Sequence, residues 1–118
     1  MATIRITNLL LRTIIGINDW ERVNKQDVVL NIILAIDSSH AQVSDCISDT
    51  VDYKVLTKKI ISLVEGSAFF LLEKLADSVL NCIMEDDKVI SATVRIDKPY
   101  ALRFAESVSF ETTKSRDL

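Results

Sequence analysis

Apolar and polar residues alternate near both ends of the chain, and apolar residues recur at helical spacing in its middle. From Thr3 to Ile17 the period is two. Ile4 and Ile6 alternate with Arg5 and Thr7, and Leu9, Leu11, Thr13 and Ile15 continue after a phase shift near Asn8, which predicts a strand with a bulge. Gly16 opens a loop from Ile17 to Gln26. Asp27 to Asp37 reads as a second strand, with Val28, Leu30, Ile32, Leu34 and Ile36 on one face and Val29, Asn31, Ile33, Ala35 and Asp37 on the other. Both faces are fairly apolar, whereas a sheet covered on one side only should be polar on the other.

An acidic, turn-rich connection from Ser44 to Asp52 precedes a change of period. Leu56, Ile60, Leu63 and Val64 share a helical face, Asp52 is a candidate N-cap, and Gly66 supplies a stop. A second helix is predicted from Phe69 or Phe70 to Met84, with Leu72, Ala76, Val79, Leu80 and Ile83 facing inward. Asp86-Asp87-Lys88 then turns the chain into a third strand, in which Ile90, Ala92, Val94 and Ile96 alternate with polar residues. Pro99 has no N–H to give to a ladder, so pairing should stop there, with Lys98 held at the strand end. A fourth strand is predicted from Leu102 to Thr113, and Ser115 to Leu118 reads as a frayed tail.

The order ββααββ predicts an α+β fold: a four-stranded antiparallel sheet with two helices on one face, as a single domain over residues 1–118. Such long strands leave apolar edges that a soluble monomer rarely tolerates. The prediction is therefore a symmetric homo-oligomer in which neighbouring copies close the edges, with any active site shared between chains.

Composition narrows the function. Only 2 Gly and 1 Pro in 118 residues suit a compact fold with few irregular loops. A net charge of -3 without a run of Lys and Arg argues against nucleic acid as the main partner. Cys46 and Cys82 lie far apart and read as reduced, partly buried thiols rather than a disulfide framework. His40 is the only histidine, so no His-based zinc cluster can form, and no metal is expected. Arg12 interrupts the apolar N-terminal stretch and no small-residue cleavage site follows. A cytoplasmic protein with no membrane span is the expectation.

Four residues carry candidate chemistry. Lys98 sits at a strand end, although most such lysines are solvated edge charges. Glu21 shares the first loop with Trp20, and loops often carry function, although a solvated loop acid is the ordinary expectation. Tyr53 lies in the first turn of a helix, with a hydroxyl accessible to a cleft. Glu73 falls near the start of the next helix, where a carboxylate interacts favourably with the helix dipole by up to about 1 kcal/mol.

Beyond these patterns, IGINDWE in the first loop, DTVDYKVLTKKI at the first helix, EGSAFFLLEKLA at the second and IDKPYALRFAESVS across the last hairpin resemble the dihydroneopterin aldolase and dihydroneopterin triphosphate epimerase family, which has the tunnelling fold. The resemblance covers nearly the whole chain. It implies four subunits joining their sheets into a β-barrel ring, two rings stacking into an octamer, and a dihydropterin substrate handled without a cofactor. It also implies roles. Glu73 anchors the pterin ring through N3–H and the 2-amino group, a paired, charge-assisted contact, and the Leu72 backbone adds a polar contact. Lys98 is the proton-transfer lysine, Glu21 lies near the substrate side chain, and Tyr53 comes from the neighbouring subunit, with Val51 and Asp52 close to the same ring.

The implied chemistry follows from the substrate. In a 7,8-dihydropterin with a trihydroxypropyl chain, the C6=N5 imine adjoins C1′, so loss of the 2′-hydroxyl proton permits C1′–C2′ cleavage with electrons flowing into the ring. No Schiff base or zinc is needed. Recombination on the opposite face inverts C2′; complete release gives 6-hydroxymethyl-7,8-dihydropterin and glycolaldehyde. An ordinary lysine, with a pKa of ~10.4, is a poor base at neutral pH, so the role calls for desolvation, a neighbouring cation or bound water. IGINDWE is similar to one aldolase branch, whereas KPYALRFAESVS is closer to the epimerase, because aldolases commonly have proline where Leu102 stands. Many aldolases also have histidine where Ile15 stands. Arg103, with Lys54 or Lys58, is a candidate for attracting a triphosphate. The sequence leans to triphosphate epimerisation with retained aldolase activity, over a dedicated aldolase or a non-catalytic pterin-binding ring protein.

Overall fold

A computed structural model describes residues 1–116. The elements are β1 (Ala2–Ile15), α1 (Asp19–Val23), β2 (Gln26–Ile36), α2 (Ala41–Ser44), a 3-10 turn (Ile47–Asp49), α3 (Tyr53–Glu65), β3 (Ala68–Phe69), α4 (Leu72–Met84), β4 (Val89–Pro99) and β5 (Ser107–Ser115). Four long strands form the antiparallel sheet that the alternation predicts, and their order is β1-β2-β4-β5. The short β3 adds a parallel pair outside β1, through Ile14 and Ile15, so the sheet is mixed at that corner.

Both long helices cover one face of the sheet. Val28, Leu30, Ile32, Leu34 and Ile36 of β2 form the floor of the core, with Ala92, Val94 and Ile96 of β4 beside them. Leu56, Ile60 and Val64 of α3 and Leu75, Ala76, Val79, Leu80 and Ile83 of α4 close it from above. Each fully buried aliphatic side chain contributes about 1.5–3 kcal/mol relative to leaving it in water. The opposite face stays open in the single chain: Leu10 and Ile33 are exposed there beside Asn31 and Arg95.

The phase shift in β1 is a bulge between Ile6 and Leu9. Asn8 takes it in the left-handed region at φ 55, where asparagine is tolerated because its short amide can bond locally. Its N–H donates to Asn31 Oδ1 at 2.9 Å, and Asn31 Nδ2 donates to Asn8 Oδ1 at 3.1 Å. In α3 the Asp52 carboxylate caps the helix, accepting from the N–H groups of Lys54 at 3.1 Å and Val55 at 3.2 Å.

Several expectations are corrected. The first loop contains α1. Helix α4 begins at Leu72, because Ala68 and Phe69 pair with β1 instead; its inward set includes Leu75, and Leu72 is only half-buried. A second bulge, between Ala35 and Ile36 opposite Ser91 and Val89, turns Val89 inward and leaves Ile90 38% exposed. The last strand starts at Ser107, not Leu102. Tyr100 at φ 62 turns the chain, its N–H donates to Glu106 O at 3.1 Å, and the enclosed loop holds Phe104 94% exposed. Cys46 is exposed rather than part-buried. Of the predicted frayed tail, Ser115 is in β5, and Arg116 is pinned by its N–H to Ile90 O and its guanidinium to carbonyls of Met84, Asp86 and Val89. Residues 117 and 118 lie outside the described residues. Among the described residues no helix is long and apolar enough to cross a membrane.

Candidate active site

At the end of β1 the backbone passes through Gly16 at φ +129, a conformation open to glycine and strained for L side chains. The turn lets α1 fold back so that Glu21 lies directly over Gly16; a Cβ at Gly16 would stand 2.2 Å from Glu21 Cδ. This close approach places the carboxylate under the end of the sheet. Sequence reasoning placed Glu21 in a loop and weighed it as a solvated acid, but its side chain is only 11% exposed.

Three groups hold that carboxylate. Oε1 accepts from the Asn18 N–H at 3.2 Å, and Oε2 accepts from Gln26 Nε2 at 3.1 Å. Gln26 Nε2 also donates to Ile15 O at 2.9 Å, tying the carboxylate to the end of β1. Lys98, the penultimate residue of β4, donates from Nζ to Oε2 and completes an ion pair in which the lysine side chain is 13% exposed. The bond from Lys98 is the main reason the Glu21 carboxyl is held down at about 2, against burial, which pushes it up; Gln26 and Asn18 add to the lowering. The partner that the cleft supplies to Lys98 is thus an anion, not the neighbouring cation considered from the sequence. Gln26 and the Asn18 N–H carry no sequence signal of their own.

Across from this pair stands the start of α4. Its first N–H groups have no partner within the helix, and Leu71, at the N-cap, gives no side-chain cap. Leu72 and Glu73 follow at once, and Glu73 is exposed in the first turn. A cleft of about 260 Å³ is lined by Gly16, Glu21, Leu72, Glu73 and Lys98, with Ala101 and Val108 at its side. Ligand pockets usually run about 300–1,000 Å³, so this open cleft is a partial enclosure for a planar ligand.

Of the residues singled out from sequence, Glu21, Leu72, Glu73 and Lys98 come together here. Val51, Asp52 and Tyr53 do not. Asp52 lines a separate depression with Cys82, Glu85 and Asp86, at the far end of α4. At 1.5 Å per residue, that end is about 18 Å from Glu73. Val51 is 1% exposed, so its side chain belongs to the core and only its backbone is available to a ligand. Tyr53 projects from the first turn of α3 into solvent. Arg103 is exposed in the loop after Lys98, with its guanidinium carbon 5.2 Å from the Phe104 ring centroid.

An α+β scaffold with a buried acid–amine pair at one end of a cleft, and an exposed carboxylate beside open helix N–H groups at the other, defines a small-molecule enzyme able to grip a flat polar ring and move protons next to it. The chain belongs to the dihydroneopterin aldolase family, whose FolB model matches residues 4–113. It is similar to the dihydroneopterin triphosphate 2′-epimerase of Escherichia coli K12, at 45% identity over 98% of this chain and 96% of that protein. The same enzyme of Pseudomonas aeruginosa is also 45% identical, over 92% of this chain and 89% of its own length. Among solved structures, Escherichia coli dihydroneopterin aldolase in complex with neopterin superposes with a TM-score of 0.92 at 29% identity, covering 98% of this chain and all of that one (100%).

Proposed function

We propose that the protein epimerises 7,8-dihydroneopterin triphosphate at C2′ by retro-aldol cleavage and recombination, and that it retains the aldolase reaction giving 6-hydroxymethyl-7,8-dihydropterin and glycolaldehyde from dihydroneopterin. The observation that carries this reading is the single cleft shared by Glu73 and the Glu21–Lys98 pair, in a chain of this family. Glu73 accepts N3–H and the 2-amino group, while the Leu72 backbone at the open helix start offers a further polar contact. The C6=N5 edge and its side chain then extend toward Lys98.

In the cleavage step the 2′-hydroxyl loses its proton, the C1′–C2′ bond breaks, and its electron pair passes through C1′ and C6 to N5, which takes up a proton. Lys98, paired with Glu21, is the donor to N5. The hydroxyl proton leaves through bound water or the Tyr53 hydroxyl. Reversal on the other face of the aldehyde inverts C2′, whereas release of the aldehyde and protonation at C1′ complete the aldolase reaction.

Because Asp52, next in sequence to Val51 and Tyr53, lines a depression at the far end of α4, about 18 Å from Glu73, the participation of these residues requires a second copy. The site is accordingly proposed to lie between subunits of a ring of four, stacked as an octamer, with the open strand edges joined. Arg103, together with Lys54 or Lys58, receives the triphosphate. Two unpaired thiols support a reducing, cytoplasmic setting.

The test is incubation of the purified protein with dihydroneopterin and with its triphosphate separately, resolving the epimer from the cleaved product. Epimer from the triphosphate is expected, with slower cleavage of the free compound. Cleavage without any epimer would make it a dedicated aldolase; neopterin binding with no turnover of either compound would leave a pterin-binding ring protein.

A further inference from the structure

Arg22 follows Glu21 in α1 but points away from the Glu21–Lys98 pair. Its Nη1 donates to Gly16 O at 2.9 Å and to Phe69 O at 3.1 Å, and its Nη2 donates to Ala68 O at 2.6 Å. Its guanidinium carbon lies 4.0 Å from the centroid of the Phe70 ring. A single planar fork therefore binds the turn beneath Glu21 and the two residues of β3, three residues before α4 presents Leu72 and Glu73. The other bonds between these pieces are few: β3 meets β1 through Ile14↔Ala68 and Ile15↔Phe69, extended by Gly16 N–H to Phe69 O at 3.2 Å, and the Thr13 hydroxyl donates to Ser67 O at 3.0 Å just before β3.

We infer that Arg22 is a positioning residue that sets the separation between the ring-anchoring end of the cleft, on α4, and the proton-transfer pair. This rests on the proposed dihydropterin reaction. Its physical basis is that each end of the cleft is rigid within itself. Glu21 is fixed by three partners, and Glu73 rides on a 13-residue helix packed into the core. Because α4 packs on β4, the strand that carries Lys98, the part left for Arg22 to fix is the joint from the Gly16 turn, over which Glu21 lies, to β3 and the start of α4. Lysine cannot replace the fork, because one ammonium on a flexible stem cannot hold three carbonyls in a plane and stack on Phe70 at once. Loosening the joint leaves each end able to do its own part but misaligns N5 and the 2′-hydroxyl against Lys98. A displacement near 1 Å costs about 10²-fold in rate, while ring binding at Glu73 persists.

The experiment compares wild type, Arg22→Ala and Arg22→Lys by neopterin affinity in calorimetry and by kcat on dihydroneopterin. Arg22→Ala should lose about 10²-fold in kcat with neopterin Kd changed less than about threefold, and millimolar methylguanidinium should restore at least about tenfold of that loss without affecting wild type. Arg22→Lys, which keeps the charge and guards against a misfolded alanine variant, should fold and still fall about tenfold in kcat with unchanged Kd. Full kcat in Arg22→Lys, kcat within about twofold in Arg22→Ala, or a parallel fall in kcat and affinity without guanidinium rescue would overturn the inference. Wild-type protein that turns over neither dihydropterin would instead remove the functional reading beneath it.

Discussion

Replacing Lys98 with methionine should cost stability in a way that depends steeply on pH, and the size of the effect follows from Glu21. Its carboxyl falls from 4.5 to about 2 on folding, chiefly through the bond from Lys98. At about 1.36 kcal/mol per unit, that difference corresponds to about 3 kcal/mol. Because the folded-state value is the lower one, this stabilisation is complete above 4.5, declines as pH falls, and is lost once pH passes below about 2. Methionine fills similar space without charge, so the variant retains the packing but leaves Glu21 with only Gln26 and the Asn18 N–H in a site just 11% exposed. Removing one member of a buried pair costs about 3–5 kcal/mol where the other stays charged. Urea unfolding at fixed protomer concentration should therefore give a loss of about 3 kcal/mol near pH 7 and under about 1 kcal/mol near pH 2. In the double variant Glu21→Gln/Lys98→Met much of the neutral-pH loss should return, since no uncompensated charge remains. An equal loss at both pH values, or a loss below about 0.5 kcal/mol at neutral pH, would refute the energetic reasoning about the pair.

Lys98→Ala should abolish turnover while neopterin affinity stays within about threefold, and Glu73→Ala should weaken neopterin by at least about tenfold in calorimetry; full turnover by Lys98→Ala would remove its assigned role. Gly16→Ala places a Cβ 2.2 Å from Glu21 Cδ at φ +129, so it should destabilise by at least about 1–3 kcal/mol and lower kcat, read by urea unfolding and by dihydroneopterin turnover. Arg103→Ala should raise KM for the triphosphate about tenfold and leave KM for dihydroneopterin within about twofold, and equal shifts on both substrates would remove its part in phosphate recognition.

The alternation in β1, β2 and β4 was legible because a half-buried strand must place apolar residues two apart, and β2 obeys this at Val28, Leu30, Ile32, Leu34 and Ile36 without exception. What escaped depends on contacts distant in sequence. Leu102 and Phe104 continue the period of the last strand, yet the chain turns at Tyr100 and closes through Glu106, leaving their side chains exposed. Ile90 likewise has the right spacing, but the bulge opposite Ala35 and Ile36 shifts the register of β4. Helix α1 is only five residues long, too short for an apolar period to announce it. The roles proposed for Lys98 and Glu73 rest on family motifs, because a strand-end lysine or a first-turn glutamate is by itself ordinary. The Glu21–Lys98 ion pair spans 77 residues of sequence and could not have been read from spacing at all.

The incompleteness of the cleft and the openness of the sheet have a common origin in the strand order. β3 occupies the outer edge of β1 only at Ile14 and Ile15, so among the described residues the edge from Ala2 to Thr13 has no strand beside it, and neither does the outer edge of β5. Both edges offer unpaired backbone groups along strands of 14 and 9 residues, the condition under which soluble proteins join edges or block them. β5 also flanks the cleft through Val108, which pairs with Lys98. A strand from a second copy added along β5 would therefore lie beside Val108 at the side of the cleft, one strand beyond Lys98. An association driven by backbone pairing would thus enclose the side of the cleft that the single chain leaves open, without requiring a dedicated lid.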